Sequence, residues 1–332
     1  MSSRTLQVEI CELRFTTPFR ISGYTFAKQD VIRVSLEQDG HVGRGEAAGV
    51  YYLGDTAQTL LEAVEAKRSV LEGGLDLIGL QELMPPGGAR NAVDCALWDL
   101  EAKLAGRPVH ELAGLAPAAP LVTTFTLGAD EPERMAKAAT ASGYYEQARA
   151  LKLKLTGELE LDLARVNAVR AARPDVWIGV DANQGFRKED LPALVQGLAA
   201  ARVSLLEQPL ARGREEDLEG FVSPIPIAAD ESVQSLRDVA GLVGRFNVVN
   251  IKLDKCGGLT EGFAIAREAR KLGLGVMVGN MCGTSLAMAP GMLVGQLCDF
   301  VDLDGAIPLS NEPEPRTRYE HGEVWCSSDV WG

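Results

Sequence analysis

From about Leu121 onward, short hydrophobic runs recur along the chain in a fixed order. A β-rich run ends on a polar residue, a polar turn follows, and an amphipathic segment of helical period comes next. The runs are LVTTFTL (121–127), ALKLKL (150–155), VWIGVDA (176–182), VSLLEQP (203–209), IPIAADE (225–231), VVNIKLD (248–254), LGVMVGN (274–280) and FVDLDG (300–305). Lys154, Asp181, Glu207, Asp230 and Lys252, near the ends of successive runs, are 27, 26, 23 and 22 residues apart. That is the length of one strand–turn–helix unit, and strands alternating with helices predict a parallel sheet. Between the second and third runs, Leu159, Leu163 and Val166 fall on one helical face, as an outer barrel helix requires. Eight runs predict an eight-stranded parallel β/α barrel over residues 119–310. A doubly wound fold is the alternative, but no GxGxxG-type turn follows the first strand.

Residues 1–118 follow a different pattern. RTLQVEICELRF, VIRVSLEQDG and HVGRGEA read as three antiparallel strands, with Asp39-Gly40 as a hairpin turn signal. Helical patterns follow at 56–72 and 88–105, the second closed by Gly106 and Pro108. These elements predict an N-terminal α+β domain, joined to the barrel by the small-residue linker LAGLAPAAP (112–120). The tail 311–332 is expected to pack back on that domain.

Composition narrows the function. A hydrophobic content of 46% supports large buried cores in a 332-residue chain. The apolar runs are too short to span a bilayer, and MSSRTLQVEI has no signal-peptide pattern. Six cysteines without CxxC spacing are expected to be reduced thiols of a cytoplasmic protein. A net charge of -13 without a basic cluster argues against nucleic acid as a partner. Three scattered histidines argue against a His-based zinc site.

The chemistry lies at the strand ends, where parallel barrels place their active sites. Asp181, Glu207 and Asp230 end three consecutive runs and can converge on one point. Three carboxylates so placed repel one another unless a cation compensates. Hard oxygen donors without His or Cys favour Mg²⁺, with Mn²⁺ as the alternative. Lys154 and Lys252 lie on runs four apart in an eight-membered ring, so one lysine faces each side of a carbon held at the metal. That suits removal of a proton from one face and its return on the other. A neutral lysine is needed as base, and the cation together with the second lysine is expected to lower its pKa. Lys152 shares the inward face with Lys154. Asp302 and Asp304 end the eighth run on one face and are expected to hold a cationic group opposite the metal.

These residues, in this order, resemble the enolase superfamily, muconate-lactonizing branch. KLK (152–154), DAN (181–183), EQP (207–209), ADES (229–232) and IKLDKCGGLTE (251–261) look like its motifs, and RNAVDCALWDLEAKLAG (90–106) is similar to its capping-domain helix. The superfamily uses a lysine base with Mg²⁺ stabilising an enediolate. Within the branch, IKLDK…GGLTE followed by DLDG resembles the dipeptide epimerases. The resemblance implies Lys154 and Lys252 as the acid/base pair, Asp181, Glu207 and Asp230 as Mg²⁺ ligands, and Lys152 on the substrate carboxylate. It implies Asp302 and Asp304 on the α-ammonium, with Thr124 and Met281, Cys282 and Gly283 lining the pocket. Members acting on Ala-Glu carry an arginine in the N-terminal loop; here PFRISGYTF (18–26) puts Tyr24 at that position, with Arg20 nearby. The expected activity is epimerisation of the C-terminal residue of L-Ala-D/L-Glu or a related, more apolar dipeptide. The expected partner is that small molecule, with a homo-oligomer left open. The alternatives are N-acylamino acid racemase, o-succinylbenzoate synthase or muconate cycloisomerase on the same scaffold, whose substrates lack a free α-ammonium. A non-catalytic barrel would have lost lysines or ligands, and none is missing here.

Overall fold

The computed structural model describes residues 4–21 and 24–332, with the backbone alone for 19–21. Strands β1 (Thr5–Ile21), β2 (Tyr24–Gln38) and β3 (His41–Ala48) form an antiparallel sheet in that order. Asp39 and Gly40 join β2 to β3 with φ of 51° and 78°. Two central residues at positive φ give a turn whose twist matches that of the strands. The register of β1 against β2 shifts between Arg14 and Phe19. Within that shifted segment the Thr16 N–H donates to the Pro308 carbonyl at 2.8 Å, which brings β1 to the mouth of the barrel.

The pattern over 56–72 forms two helices, α1 (Ala57–Glu65) and α2 (Arg68–Glu72). Arg68, at the break, donates to the Leu6 carbonyl of β1 at 2.6 Å, a tertiary contact that periodicity does not encode. A short α3 (Leu77–Leu83), not anticipated from the pattern, precedes α4 (Gly88–Ala105) and α5 (Val109–Leu112). Helix α4 lies directly on β3: a Cβ at Gly45 would come within 2.1 Å of the Ala92 carbonyl, so only glycine permits this approach. It ends at Gly106 in the left-handed region, φ 60°.

The run 121–127 divides in two. β4 (Leu121–Val122) leaves the barrel, and β5 (Thr124–Leu127) is its first strand. Then follow β6 (Ala150–Lys154), β7 (Trp177–Asp181), β8 (Leu205–Glu207), β9 (Ile227–Ala229), β10 (Val248–Ile251), β11 (Gly275–Val278) and β12 (Phe300–Val301), parallel and in sequential order. Side chains bridge the seam between β12 and β5: the Leu303 N–H donates to Thr123 Oγ1 at 2.9 Å, and the Thr126 N–H donates to Asp304 at 2.6 Å. The chain therefore forms the expected eight-stranded parallel barrel behind an α+β domain.

The barrel helices are α6 (Pro132–Ala139), α7 (Tyr144–Gln147), α8 (Leu159–Ala172), α9 (Leu191–Ala200), α10 (Leu253–Cys256), α11 (Leu259–Lys271) and α12 (Ser285–Gly295). On α8, Val166 is fully buried and Leu159 and Leu163 pack against the core. Two units depart from the expected pattern. The connections after β8 and β9 are 3-10 turns, Glu215–Leu218 and Leu236–Leu242, where the strand spacing contracts and leaves too few residues for a full helix. The tail adds β13 (Arg318–Glu320) and β14 (Glu323–Trp325), and β14 pairs with β4. Its last residues reach the N-terminal domain: Trp331 Nε1 donates to the Arg44 carbonyl at 2.9 Å, and the Val109 N–H donates to the Gly332 carbonyl at 3.1 Å. Among the described residues, no helix is long and apolar enough to cross a membrane.

Candidate active site

Asp181 closes β7 and Glu207 closes β8, paired side by side in the sheet, and Asp230 follows β9 directly. Neighbouring strands lie about 4.8 Å apart, so carboxylates at matching heights must face one another. One oxygen from each lies within 4.8 Å of the others, and all three side chains are buried. The lysines close around this group. Lys154 Nζ is 2.6 Å from Asp181, Lys252 Nζ is 2.7 Å from Asp230, and Lys152 Nζ is 3.4 Å from Glu207. Lys255 adds a second cation on Asp230 at 2.6 Å, and Asn250 Nδ2 donates to Glu207 at 2.7 Å.

The electrostatics ask for a cation. Burial, then the neighbouring Asp181, pushes the Glu207 carboxyl up to about 7. Burial, then Asp230, pushes Glu231 up to about 8, and its buried Oε2 has no hydrogen-bond partner among the described residues. Burial would also raise Asp230, but Lys252 and Lys255 outweigh it and hold this carboxyl well below the ordinary range. Six carboxylates (Asp181, Glu207, Asp230, Glu231, Asp302, Asp304) thus stand against four lysines. With every carboxyl ionised, their formal excess of two negative charges and the all-oxygen donors at the centre fit a hard divalent ion such as Mg²⁺. The expected lowering of a lysine pKa depends on the cation, and the protein's own charges act the other way on Lys252. Burial lowers Lys252, yet Asp230 and Glu207 hold it well above its ordinary value. An ion shared by the same carboxylates would cancel that bias.

Lys152, Lys154 and Lys252 open with Cys282, Asp302 and Asp304 onto one cavity of about 460 Å³, roofed by Thr16–Pro18. The two aspartates do not play equal parts in it. Asp302 is paired with Lys152 and accepts the Thr124 hydroxyl, so its charge is matched within the protein. Lys152 and Asp302 hold one another although burial opposes both charges. Asp304 accepts the backbone N–H of Thr126, and burial and then Asp302 push its carboxyl up to about 6. Its charge is the one left facing the cavity.

The remaining sequence candidates divide. Thr124 stands behind Asp302 as its hydrogen-bond donor. Met281 packs in an apolar cluster with Leu13, Val31 and Val50 of the N-terminal domain. Gly283 is pressed against Ala287, where a Cβ would lie 2.8 Å from that methyl. Tyr24 lies edge-on to Tyr51 with ring centroids 4.7 Å apart, and Tyr51 in turn feels the charges of Lys252 and Asp230. The Arg20 side chain lies outside the described residues.

Several residues in contact with this site escaped the sequence reading. Asn250 sits on β10, two positions before Lys252, so alternation alone could have placed it inward. Lys255 lies one helical turn beyond Lys252, within a motif whose lysine had been given no role. Tyr51 and Tyr52 sit in a 3-10 turn of the N-terminal domain (Tyr51–Leu53), and no local pattern ties them to the barrel.

Comparison with known proteins agrees with this geometry. Residues 133–309 match the enolase C-terminal domain-like family, and residues 5–114 match the N-terminal domain of mandelate racemase/muconate lactonizing enzyme. The chain belongs to the enolase superfamily. Within the superfamily it is 38% identical to the L-Ala-D/L-Glu epimerase of Escherichia coli over 308 residues, covering 93% of this chain and 95% of that protein. It is 40% identical to an N-acetyl-D-glutamate racemase of a Pseudoalteromonas species over 259 residues, 78% of this chain and 80% of that protein. Among solved structures, it resembles an enolase family member from Agrobacterium tumefaciens bound to sodium and L-Ala-L-Glu (TM-score 0.93, 39% identity, 99% of this chain and 100% of that one). A second is the dipeptide epimerase of Enterococcus faecalis complexed with Mg and L-Leu-L-Tyr (TM-score 0.89, 29% identity, 98% and 97%). Three of these four are named as epimerases or racemases, isomerases acting on amino acid derivatives and dipeptides.

Proposed function

We propose that this protein is a Mg²⁺-dependent dipeptide epimerase that inverts the α-carbon of the C-terminal residue by two-lysine 1,1-proton transfer. The observation that carries the reading is that Lys154 and Lys252 enter one cavity from opposite ends of a buried carboxylate trio. Asp181, Glu207 and Asp230 would hold the ion. When bound, Mg²⁺ supplies positive charge where the substrate carboxylate gains negative charge as the neighbouring C–H bond breaks.

This chain's own groups do the rest. One lysine takes the α-proton onto Nζ, and the other returns a proton to the opposite face, so the configuration inverts and no net proton is consumed. Lys152, anchored on Asp302, presents a fixed cation to the substrate carboxylate. Asp304 offers a carboxylate to the α-ammonium. Tyr24, edge-on to Tyr51, stands where relatives acting on Ala-Glu carry an arginine, which favours apolar side chains beside or in place of glutamate. The six cysteines are free thiols, in keeping with a cytoplasmic setting.

A second reading, racemisation of an N-acylated amino acid, draws support from the N-acetyl-D-glutamate racemase relative and from the internal pairing of Asp302. A dipeptide library incubated in heavy water separates the two. The expected result is deuterium at the α-carbon of the C-terminal residue of free dipeptides, together with the opposite diastereomer. Equal turnover of N-acetylated compounds would favour the acylamino acid reading.

A further inference from the structure

Lys252 and Lys154 are held by different parts of the molecule. Lys154 closes a barrel strand, and the turn after it is braced from within the barrel. Asp162 of α8 accepts the N–H groups of Thr156, Gly157 and Glu158 at 2.9–3.1 Å and is itself paired with Arg165. Lys252 stands at the start of the one-turn helix α10, whose far end is gripped by α4 of the N-terminal domain. Arg90, buried to 3% exposure, donates to the carbonyls of Cys256 at 2.6 Å and Gly257 at 3.1 Å, and pairs with Glu261. Asn91 donates to Asp254 at 3.2 Å, and Asp254 also accepts the Ala48 N–H of β3 at 2.9 Å. Asp94 accepts the Thr260 N–H at 3.0 Å, and Trp98 Nε1 donates to the Thr260 hydroxyl at 2.9 Å.

The contact leaves no slack. Gly257 and Gly258 take φ of 82° and 117°, and a Cβ on them would come within 2.3 Å of Arg90 and 2.5 Å of Asp94. Four side chains of one helix therefore hold the segment 254–261 that follows Lys252, two through its backbone and two through its side chains.

We infer that Arg90, Asn91, Asp94 and Trp98 are positioning residues for Lys252 and not for Lys154, so the N-terminal domain sets the proton transfer on one face of the substrate. This rests on the two-lysine reading above. Proton transfer is steep in distance, and a displacement near 1 Å costs on the order of a hundredfold. Loosening the α4–α10 contact should therefore slow one face and spare the other.

The test is α-proton exchange in heavy water, measured separately from the L,L and L,D forms of one dipeptide by mass spectrometry with Mg²⁺ present. Lys252→Ala and Lys154→Ala first identify which isomer depends on which lysine. Arg90→Met is then expected to slow exchange of the Lys252-dependent isomer roughly ten- to a hundredfold. Exchange of the Lys154-dependent isomer should stay within about twofold, and Arg90→Lys should recover part of the loss. Trp98→Phe, which removes one hydrogen bond, should show the same one-sided effect in smaller degree and serves if Arg90→Met does not fold. Equal slowing of both isomers, or no slowing in either Arg90→Met or Trp98→Phe, overturns the inference. If the wild-type enzyme exchanges neither isomer of any dipeptide, it is the epimerase reading that fails.

Discussion

Lys152 and Asp302 form a buried ion pair that joins the second barrel strand to the end of the eighth, with the first strand between them. The same ammonium lies 3.4 Å from Glu207 and 3.8 Å from Asp181. Lys152 thus links the carboxylate trio to the aspartates on the other side of the cavity. Because Asp302 is already matched, recognition of a substrate cation would fall to Asp304 in the proposed reaction. Asp304→Asn should reduce the preference for a free dipeptide over its N-acetyl form by about 1.5–3 kcal/mol, roughly ten- to a hundredfold in KM. Asp302→Asn should instead disturb Lys152 and weaken both substrates alike. Competition between the two substrates measures the difference, and an unchanged preference in Asp304→Asn would refute this assignment.

The same carboxyl predicts a pH dependence. Burial and Asp302 push Asp304 up to about 6, so it carries its charge above that pH and loses it below. KM for the free dipeptide should therefore rise as pH falls through about 6. The N-acetyl compound does not use this contact and should show no such rise, which separates Asp304 from any titration of the lysines. Asp304→Asn should flatten the difference between the two profiles.

Chelation of divalent cations should abolish activity, and Mg²⁺ should restore it. By calorimetric titration, Asp181→Asn, Glu207→Gln and Asp230→Asn should each lose most Mg²⁺ binding while the barrel stays folded by circular dichroism. Asn250→Ala removes the amide that orients Glu207 at 2.7 Å. Loss of such an outer partner should weaken Mg²⁺ by about ten- to a hundredfold without eliminating it. Full activity in a rigorously metal-free sample would contradict the site.

Neither Lys154→Ala nor Lys252→Ala should epimerise a dipeptide, because inversion needs a group on each face. Each variant should still exchange the α-proton of one stereoisomer through the lysine that remains. Near wild-type epimerisation by both variants would exclude the two-base route.

Much of this architecture is written in local pattern. Alternation within a strand and a repeat of about 25 residues are properties of neighbouring positions. They placed Lys152 beside Lys154, brought Asp181, Glu207 and Asp230 to successive strand ends, and put Lys252 four strands from Lys154. Asp39-Gly40 marked its hairpin because few residue pairs accept two positive φ angles in succession. Even the shortened connections after β8 and β9 were present in the spacing.

Tertiary structure alone decided which charges meet. Lys152 reaches Asp302 because the barrel closes and brings together residues 150 positions apart, and a long flexible side chain then selects among several carboxylates. That selection is what made Asp302 and Asp304 unequal, although alternation had placed them on one face as equivalents. The grip of Arg90 on the turn after Lys252 likewise depends on how one domain docks on another, as does the reach of Trp331 back to Arg44. Local periodicity determines which way a side chain points. Its partner depends on the relative placement of elements distant in sequence, and that is determined only when the cores pack.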